Sequence, residues 1–183
     1  MKDPFNKWYA RGWRRAVDEN GKTTMVYEGE YYTLGADKTA LRRKKTEAAL
    51  LFAIHALVYL ASAVVVSDGA MWRWVGLFQI LTLLPAIYLA MGTVRFCLGG
   101  EMLTYRDWHA GPVRLRRASA FSTALGAATL AAEIVYMVLF DCVLWRETLF
   151  AAEILVYTLA AMGIGRFCRR NHFRIIDPTK EEN

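Results

Sequence analysis

Four long apolar blocks constrain this chain more than any other feature of its sequence. Thr46 to Val66 reads TEAALLFAIHALVYLASAVVV, and Val75 to Val94 reads VGLFQILTLLPAIYLAMGTV. Ala118 to Phe140 reads ASAFSTALGAATLAAEIVYMVLF, and Thr148 to Ile164 reads TLFAAEILVYTLAAMGI. A helix needs about 20 mostly apolar residues to cross a hydrocarbon core of roughly 30 Å. The first three blocks have that length, and the fourth reaches it by borrowing from its flanks. A soluble amphipathic helix keeps a polar face, whereas here the charges lie between the blocks. The composition, 55% hydrophobic and 22% charged over 183 residues, would suit a soluble domain if it were evenly mixed. Its segregation selects an all-α membrane protein with a four-transmembrane-helix bundle.

Basic residues then orient the bundle. Residues 1–46 hold eleven Lys and Arg, residues 95–117 hold five, and the tail from Arg166 holds five more. The two short connections contribute only Arg73 and Arg146. Basic segments stay on the cytoplasmic side during insertion. Both termini and the central loop are therefore expected in the cytoplasm, and the protein in the plasma membrane. The stretch before the first block has no apolar core of a signal peptide, so the first transmembrane helix is expected to act as the targeting signal. The positive charge hugs the membrane ends and calls for anionic lipid headgroups at the cytoplasmic face, not nucleic acid.

The apolar blocks repeat. Met91-Gly92-Thr93-Val94-Arg95-Phe96-Cys97 returns 71 residues later as Met162-Gly163-Ile164-Gly165-Arg166-Phe167-Cys168. Gly29-Glu30-Tyr31-Tyr32-Thr33 matches Gly100-Glu101-Met102-Leu103-Thr104, Leu41-Arg42-Arg43 matches Leu115-Arg116-Arg117, and Asp68 with Trp72-Arg73 matches Asp141 with Trp145-Arg146. Matches in the same order imply two duplicated helical hairpins of one orientation, related by a pseudo-twofold axis along the membrane normal. The chain then divides into an interfacial arm and β-hairpin (1–45), a first transmembrane hairpin (46–97), a cytoplasmic loop (98–117), a second transmembrane hairpin (118–168) and a cytoplasmic tail (169–183). Trp72, Arg73, Trp145 and Arg146 read as anchors at the outer interface, and Arg95, Phe96, Arg166 and Phe167 as anchors at the inner one. Gly92 and Gly163 offer small surfaces where helices can approach closely. Pro85 is expected to kink the second helix.

The arm opens with DPFNKWYARGWRR. Asp3 suits an N-cap and Pro4 the first helical position. Phe5, Trp8, Tyr9 and Trp13, with Arg11, Arg14 and Arg15, make an amphipathic surface for lipid or a partner. Asn20-Gly21 then signals a small cytoplasmic N-terminal β-hairpin with a type I′ turn, Glu19 opposite Lys22 and Val17 opposite Thr24. Such a hairpin is marginal alone. It needs support from the tail strand 173–176, the loop near 102–105, or another protein.

Ionisable groups inside apolar helices are candidate functional groups. Here they are His55, Glu133 and Glu153, with the amide of Gln79. Glu133 and Glu153 flank the second outer turn at similar distances, and Tyr59 aligns with Glu133 in the repeat. A polar layer of Tyr59, Gln79, Glu133 and Glu153 is expected to hold a proton or a cation, or to join helices by hydrogen bonds. His55 reads as a hydrogen-bonded core residue. Cys97 and Cys168, with His109 and His172, have spacing too loose for a zinc site. They read as packing thiols, so no metal and no cofactor is expected. The sequence holds no phosphate-binding glycine loop, HExxH, GxSxG or paired CxxC motif, which argues against an enzyme without excluding one. The expected function is that of a small integral membrane subunit that scaffolds or assembles a larger complex with other membrane proteins or with itself. The alternative is an oligomeric transporter or channel for protons or cations that uses Glu133 and Glu153.

Overall fold

The computed structural model describes residues 12–17, 23–65 and 67–176. Phe5, Trp8, Tyr9 and Arg11 of the proposed interfacial surface, and the Asn20-Gly21 turn, lie outside these residues. The described chain runs β1 (Trp13–Val17), β2 (Thr23–Tyr27), β3 (Tyr31–Thr33), α1 (Lys38–Ser62), a short α2 (Asp68–Met71) and α3 (Arg73–Leu98). There follow β4 (Met102–Leu103), a short α4 (Tyr105–Trp108), a π-helical turn (His109–Val113), α5 (Arg114–Leu139), α6 (Leu144–Arg170) and β5 (Arg174–Ile176). Four helical spans are long and apolar enough to cross a membrane, α5 being one of them together with the α4 and π-helical turns that lead into it. The chain thus has the helix bundle of a membrane protein.

The helices outrun the apolar blocks because helix propensity does not stop where hydropathy does. α1 begins at Lys38, where the Asp37 side chain accepts from the Ala40 N–H at 2.7 Å. That cap satisfies one of the orphan donors of the first turn. Arg42, Arg43, Lys44 and Lys45, good helix formers, carry the helix on into the apolar stretch, and the Lys45 ammonium donates to the carbonyl of Gly99 just past α3. α3 continues through Pro85, which is buried and leaves the Leu81 carbonyl without its helical donor.

The long helices form a ring in the order α1, α3, α5, α6, with α1 touching α3 least. Glycines set the closest approaches. A Cβ on Gly92 would stand 3.1 Å from the Leu115 nitrogen and 3.2 Å from its Cα, so α3 and α5 meet backbone against backbone. A Cβ on Gly126 would collide with Thr158 Oγ1 and lie 3.1 Å from the Tyr157 ring. Leu89, Leu115, Ala118 and Ile164 make one apolar cluster between these crossings, and Val75, Phe150 and Ile154 make another beyond Gly126, toward the far end.

The described strands gather at the end of the bundle where α1 begins and α3 and α6 end. β3 is the centre of an antiparallel sheet of order β4-β3-β5, pairing Tyr32 with Leu103 on one side and with Ile175 on the other. The tail and the central loop therefore do find a strand, but it is Tyr31–Thr33 and not the hairpin. Tyr32 stacks on Trp108 at 4.3 Å, which fixes the sheet to the helices. The hairpin of β1 and β2 stands apart as a two-stranded sheet. Its register pairs Val17 with Thr23 and Trp13 with Tyr27, one residue from the expected pairing. Five residues join the paired ends, an odd number that a two-residue type I′ turn does not allow.

The close approach at Gly126 is testable. Gly126→Val should lower stability by roughly 1–3 kcal/mol through overpacking against Tyr157 and Thr158, read as a lower unfolding temperature in detergent. The same change at exposed Gly100, where the nearest atom to an added Cβ is 3.7 Å away, should have little effect.

Candidate functional site

Two groups of polar side chains are buried between the long helices. The first lies at the end opposite the strands. Glu147 stands in the first turn of α6, on the same buried stripe as Phe150, Ile154, Tyr157 and Ala161. Its carboxylate receives three donors from the turn after α1: Ser67 Oγ at 2.5 Å, the Asp68 N–H at 3.0 Å and the Gly69 N–H at 3.2 Å. Ser67 in turn accepts from the Ala70 N–H at 3.0 Å. A charged acceptor thus closes a turn whose backbone donors would otherwise be buried without partners.

Glu133, on α5, faces the same spot. Both glutamates are fully buried. A Cβ on Gly69 would lie 2.5 and 2.7 Å from the two Glu133 oxygens and 2.8 Å from Glu147 Oε2. The glycine is what lets the carboxylates converge. Neither Glu133 oxygen has a hydrogen-bond partner. Buried polar atoms are nearly always paired, because an unpaired one costs its full desolvation. Two carboxylates this close cannot both be charged in a low-dielectric site unless a proton or a cation sits between them. Glu147 is already served by its three donors, so Glu133 is the member left to take that proton or cation.

The second group lies deeper along the helices. His55 stacks on Tyr157 at 4.2 Å, with Nδ1 3.3 Å from the Tyr157 carbonyl and Nε2 3.5 Å from Ser122 Oγ. Ser122 Oγ and the Tyr157 hydroxyl are 2.6 Å apart. Tyr59 donates to the Gln79 carbonyl at 3.4 Å, Gln79 donates to Ser62 Oγ at 3.5 Å, and Tyr59 approaches Tyr157 at 5.6 Å. This chain of groups links α1, α3, α5 and α6.

Of the polar layer expected from sequence, Tyr59 and Gln79 come together, while Glu133 meets Glu147. Glu153 is half-buried elsewhere on α6, with Oε2 buried and unpartnered. It stands six residues beyond Glu147, which at 100° per residue turns it 120° away from the buried stripe. Arg95 and Arg166 are exposed, whereas Phe96 and Phe167 are buried and meet edge to face at 5.9 Å. Trp72 packs on Tyr136 and Phe140, each at 5.9 Å, while Trp145 is exposed beneath the Arg146 guanidinium. Arg73 lies over Trp74 at 5.4 Å. Trp13, Arg14 and Arg15 stand in β1, where Arg14 reaches Glu28 at 3.7 Å. Cys97 and Cys168 pack against the Phe96–Phe167 cluster. Among the described residues no group of three or more His, Cys, Asp or Glu is placed to hold a metal ion.

Glu147, Ser67, Gly69, Ser122 and Tyr157 escaped the sequence reading. A signal was present. Ser119, Ser122, Gly126, Thr129 and Glu133 recur at alternating spacings of three and four, a small and polar stripe that marks a helix contact face. Glu147 continues the buried period of α6 beyond the apolar block in which that period was sought.

No protein-family model, curated protein or solved structure matches this chain.

The two glutamates should respond to the same substitution with opposite signs. Glu147→Leu strands three donors and should destabilise by roughly 1–3 kcal/mol. Glu133→Leu strands none and should stabilise by about 1 kcal/mol, since it removes an unpaired buried carboxylate. Thermal unfolding of both variants in detergent decides this, and equal losses would show that Glu133 is a bonded structural residue.

Proposed function

We propose that the protein is a small integral membrane subunit that assembles a larger membrane complex, with both termini and the strands on the cytoplasmic side of the plasma membrane. The orientation follows from the basic residues, which cluster at the strand-bearing end and are sparse at the other. The observation that carries the assembly reading is the β1–β2 hairpin. It projects outside the long helices with Trp13, Val17, Met25 and Val26 exposed. Among the described residues it pairs with no other strand, which leaves both of its edges open to one. Its ties to the rest run through Tyr27, which donates to the Glu30 carbonyl at 2.9 Å, accepts from the Tyr105 N–H at 3.0 Å and meets the Tyr31 ring at 5.1 Å. Isolated hairpins are marginal, and open edges invite an added strand. A partner protein's edge strand, bringing apolar side chains onto that face, supplies what the hairpin lacks.

The subunit is read as two duplicated hairpins. In support, Tyr32 pairs with Leu103 and Phe96 meets Phe167 edge to face, and in both cases the partner is the residue 71 positions on that the repeat makes equivalent. Contact between counterparts is what a twofold relation between the hairpins would produce near its axis.

A second reading, an oligomeric carrier of protons or cations, is favoured by the orphaned oxygens of Glu133. The geometry gives it Glu147 as a neighbour in place of Glu153. With two carboxylates and one hydroxyl in reach, a proton suits the site better than a metal ion, which takes more ligands.

Affinity purification at native expression in mild detergent, followed by mass spectrometry, tests the first reading. A stoichiometric membrane partner should co-purify with the full chain and be lost when residues 1–28 are deleted, while insertion is unchanged. Retention of every partner after that deletion would sink the assembly role. If the protein purifies as a partner-free oligomer, proton flux into liposomes should fall to background in Glu133→Gln, and undiminished flux would remove the carrier reading.

A further inference from the structure

A groove of about 1400 Å³ opens between α3 and the continuous helix formed by α4, the π-helical turn and α5. Its wall changes character along its length. Toward the strand-bearing end it is lined by Arg95, Arg106, Arg114 and Arg117. Further along it is lined by Leu81, Leu84, Met91, Val94, Phe121 and Leu125. The π-helical turn presents Ala110 and Val113 to the same groove, between Arg106 and Arg114. Arg114 lies over the Tyr88 ring at 5.6 Å and so leans across from α5 toward α3. Asp107, the carboxylate among these residues, is occupied by Thr104, whose Oγ1 donates to it at 2.8 Å.

The dimensions and the charge select an occupant. From Arg95 to Leu81 the groove follows α3 for about 21 Å, and from Arg114 to Leu125 it follows α5 for about 16 Å, at 1.5 Å per residue. One leaflet contributes about half of a roughly 30 Å hydrocarbon core. The groove is therefore one leaflet deep, basic where headgroups lie and apolar where chains lie. Free phosphate would leave the apolar length empty. A second copy, held in the same orientation by the membrane, would set one arginine cluster beside another.

We propose that this groove binds one phosphate-bearing anionic lipid, with the phosphate on Arg95, Arg114 and Arg117 and an acyl chain along Leu84, Phe121 and Leu125. The site rests on the membrane-spanning part of the function proposed above and not on the hairpin or on the glutamates. Each arginine near a headgroup should contribute about fivefold to affinity.

Native mass spectrometry of the detergent-purified full chain, titrated with phosphatidylglycerol or with phosphatidylcholine of the same chains, tests this. One phosphatidylglycerol should be retained per chain in clear preference to phosphatidylcholine. The double variant Arg95→Gln/Arg117→Gln should weaken that retention by about 25-fold. Val94→Trp, at an exposed position, should reduce it by filling the apolar length while leaving every charge in place. Both variants alter surface side chains, and an unchanged unfolding temperature should accompany the loss. Equal retention of the two lipids, or undiminished preference in the double variant, would overturn the proposal. So would displacement of the lipid by inorganic phosphate with no dependence on chain length, which marks a free-anion site. Failure of the chain to incorporate into lipid nanodiscs would instead refute the membrane reading on which this site rests.

Discussion

The Glu147 carboxylate holds together what the first two long helices do not hold by themselves. α1 and α3 follow each other in sequence but touch least of any neighbours in the ring. Their hairpin is kept closed from outside, α1 lying on α6 and α3 on α5. At the strand-bearing end the sheet and the Phe96–Phe167 contact complete this closure. At the far end the Val75–Phe150–Ile154 cluster and the packing of Trp72 on Tyr136 and Phe140 are joined by one side chain of α6 accepting from Ser67, Asp68 and Gly69 in the turn between α1 and α3. In an apolar setting backbone donors have no water to turn to, and an ionic acceptor is the strongest partner available to them. The bond that joins the two halves is thus also the bond that brings a charge into the bundle.

That charge sets the second pair of long helices apart from the first. Where the first pair carries Tyr59 and Trp74, the positions 74 and 73 residues further on carry Glu133 and Glu147. Aromatic residues in one half stand where acids stand in the other. A fold that only needed two matching hairpins would gain nothing by burying a second carboxylate beside the first. Glu147 alone suffices to close the turn, since three donors already meet it. Glu133 adds desolvation and repulsion and gains no hydrogen bond.

The architecture was legible in the sequence because hydropathy and helical period act locally. Each apolar block marked a helix without reference to any other, and the charged flanks of α1 extended it for reasons of propensity alone. The sheet was half legible. Residues 173–176 were recognisable as a strand and 102–105 as a loop segment able to support the hairpin, but that Tyr31–Thr33 and not the hairpin would meet them depended on how three segments converge in space. The hairpin register slipped for a local reason: Asn20-Gly21 is a strong turn signal, yet register is set by the whole connection. The site was least legible. Glu133 was singled out, but its neighbour was sought at equal depth by counting residues from the turn. Depth is half of the geometry. Azimuth around the helix is the other half, and it puts Glu147 on the buried stripe with Phe150 and Ile154 while turning Glu153 aside.

The two ends of the bundle are built from different chemistry, and this limits how they can communicate. The far end is closed by buried acids and short turns. The strand-bearing end carries the arginines, the hairpin and the mouth of the groove. Between them α3 and α5 run without interruption and meet backbone to backbone at Gly92. Such a contact leaves no room for the helices to slide, because any shift drives Leu115 into the α3 backbone. Glu133 and the groove therefore share α5 as a common wall. The loose seam is the one between α1 and α3, inside the first hairpin, so the packing leaves α1 freer to part from α3 than either long helix of the second hairpin is from its neighbours.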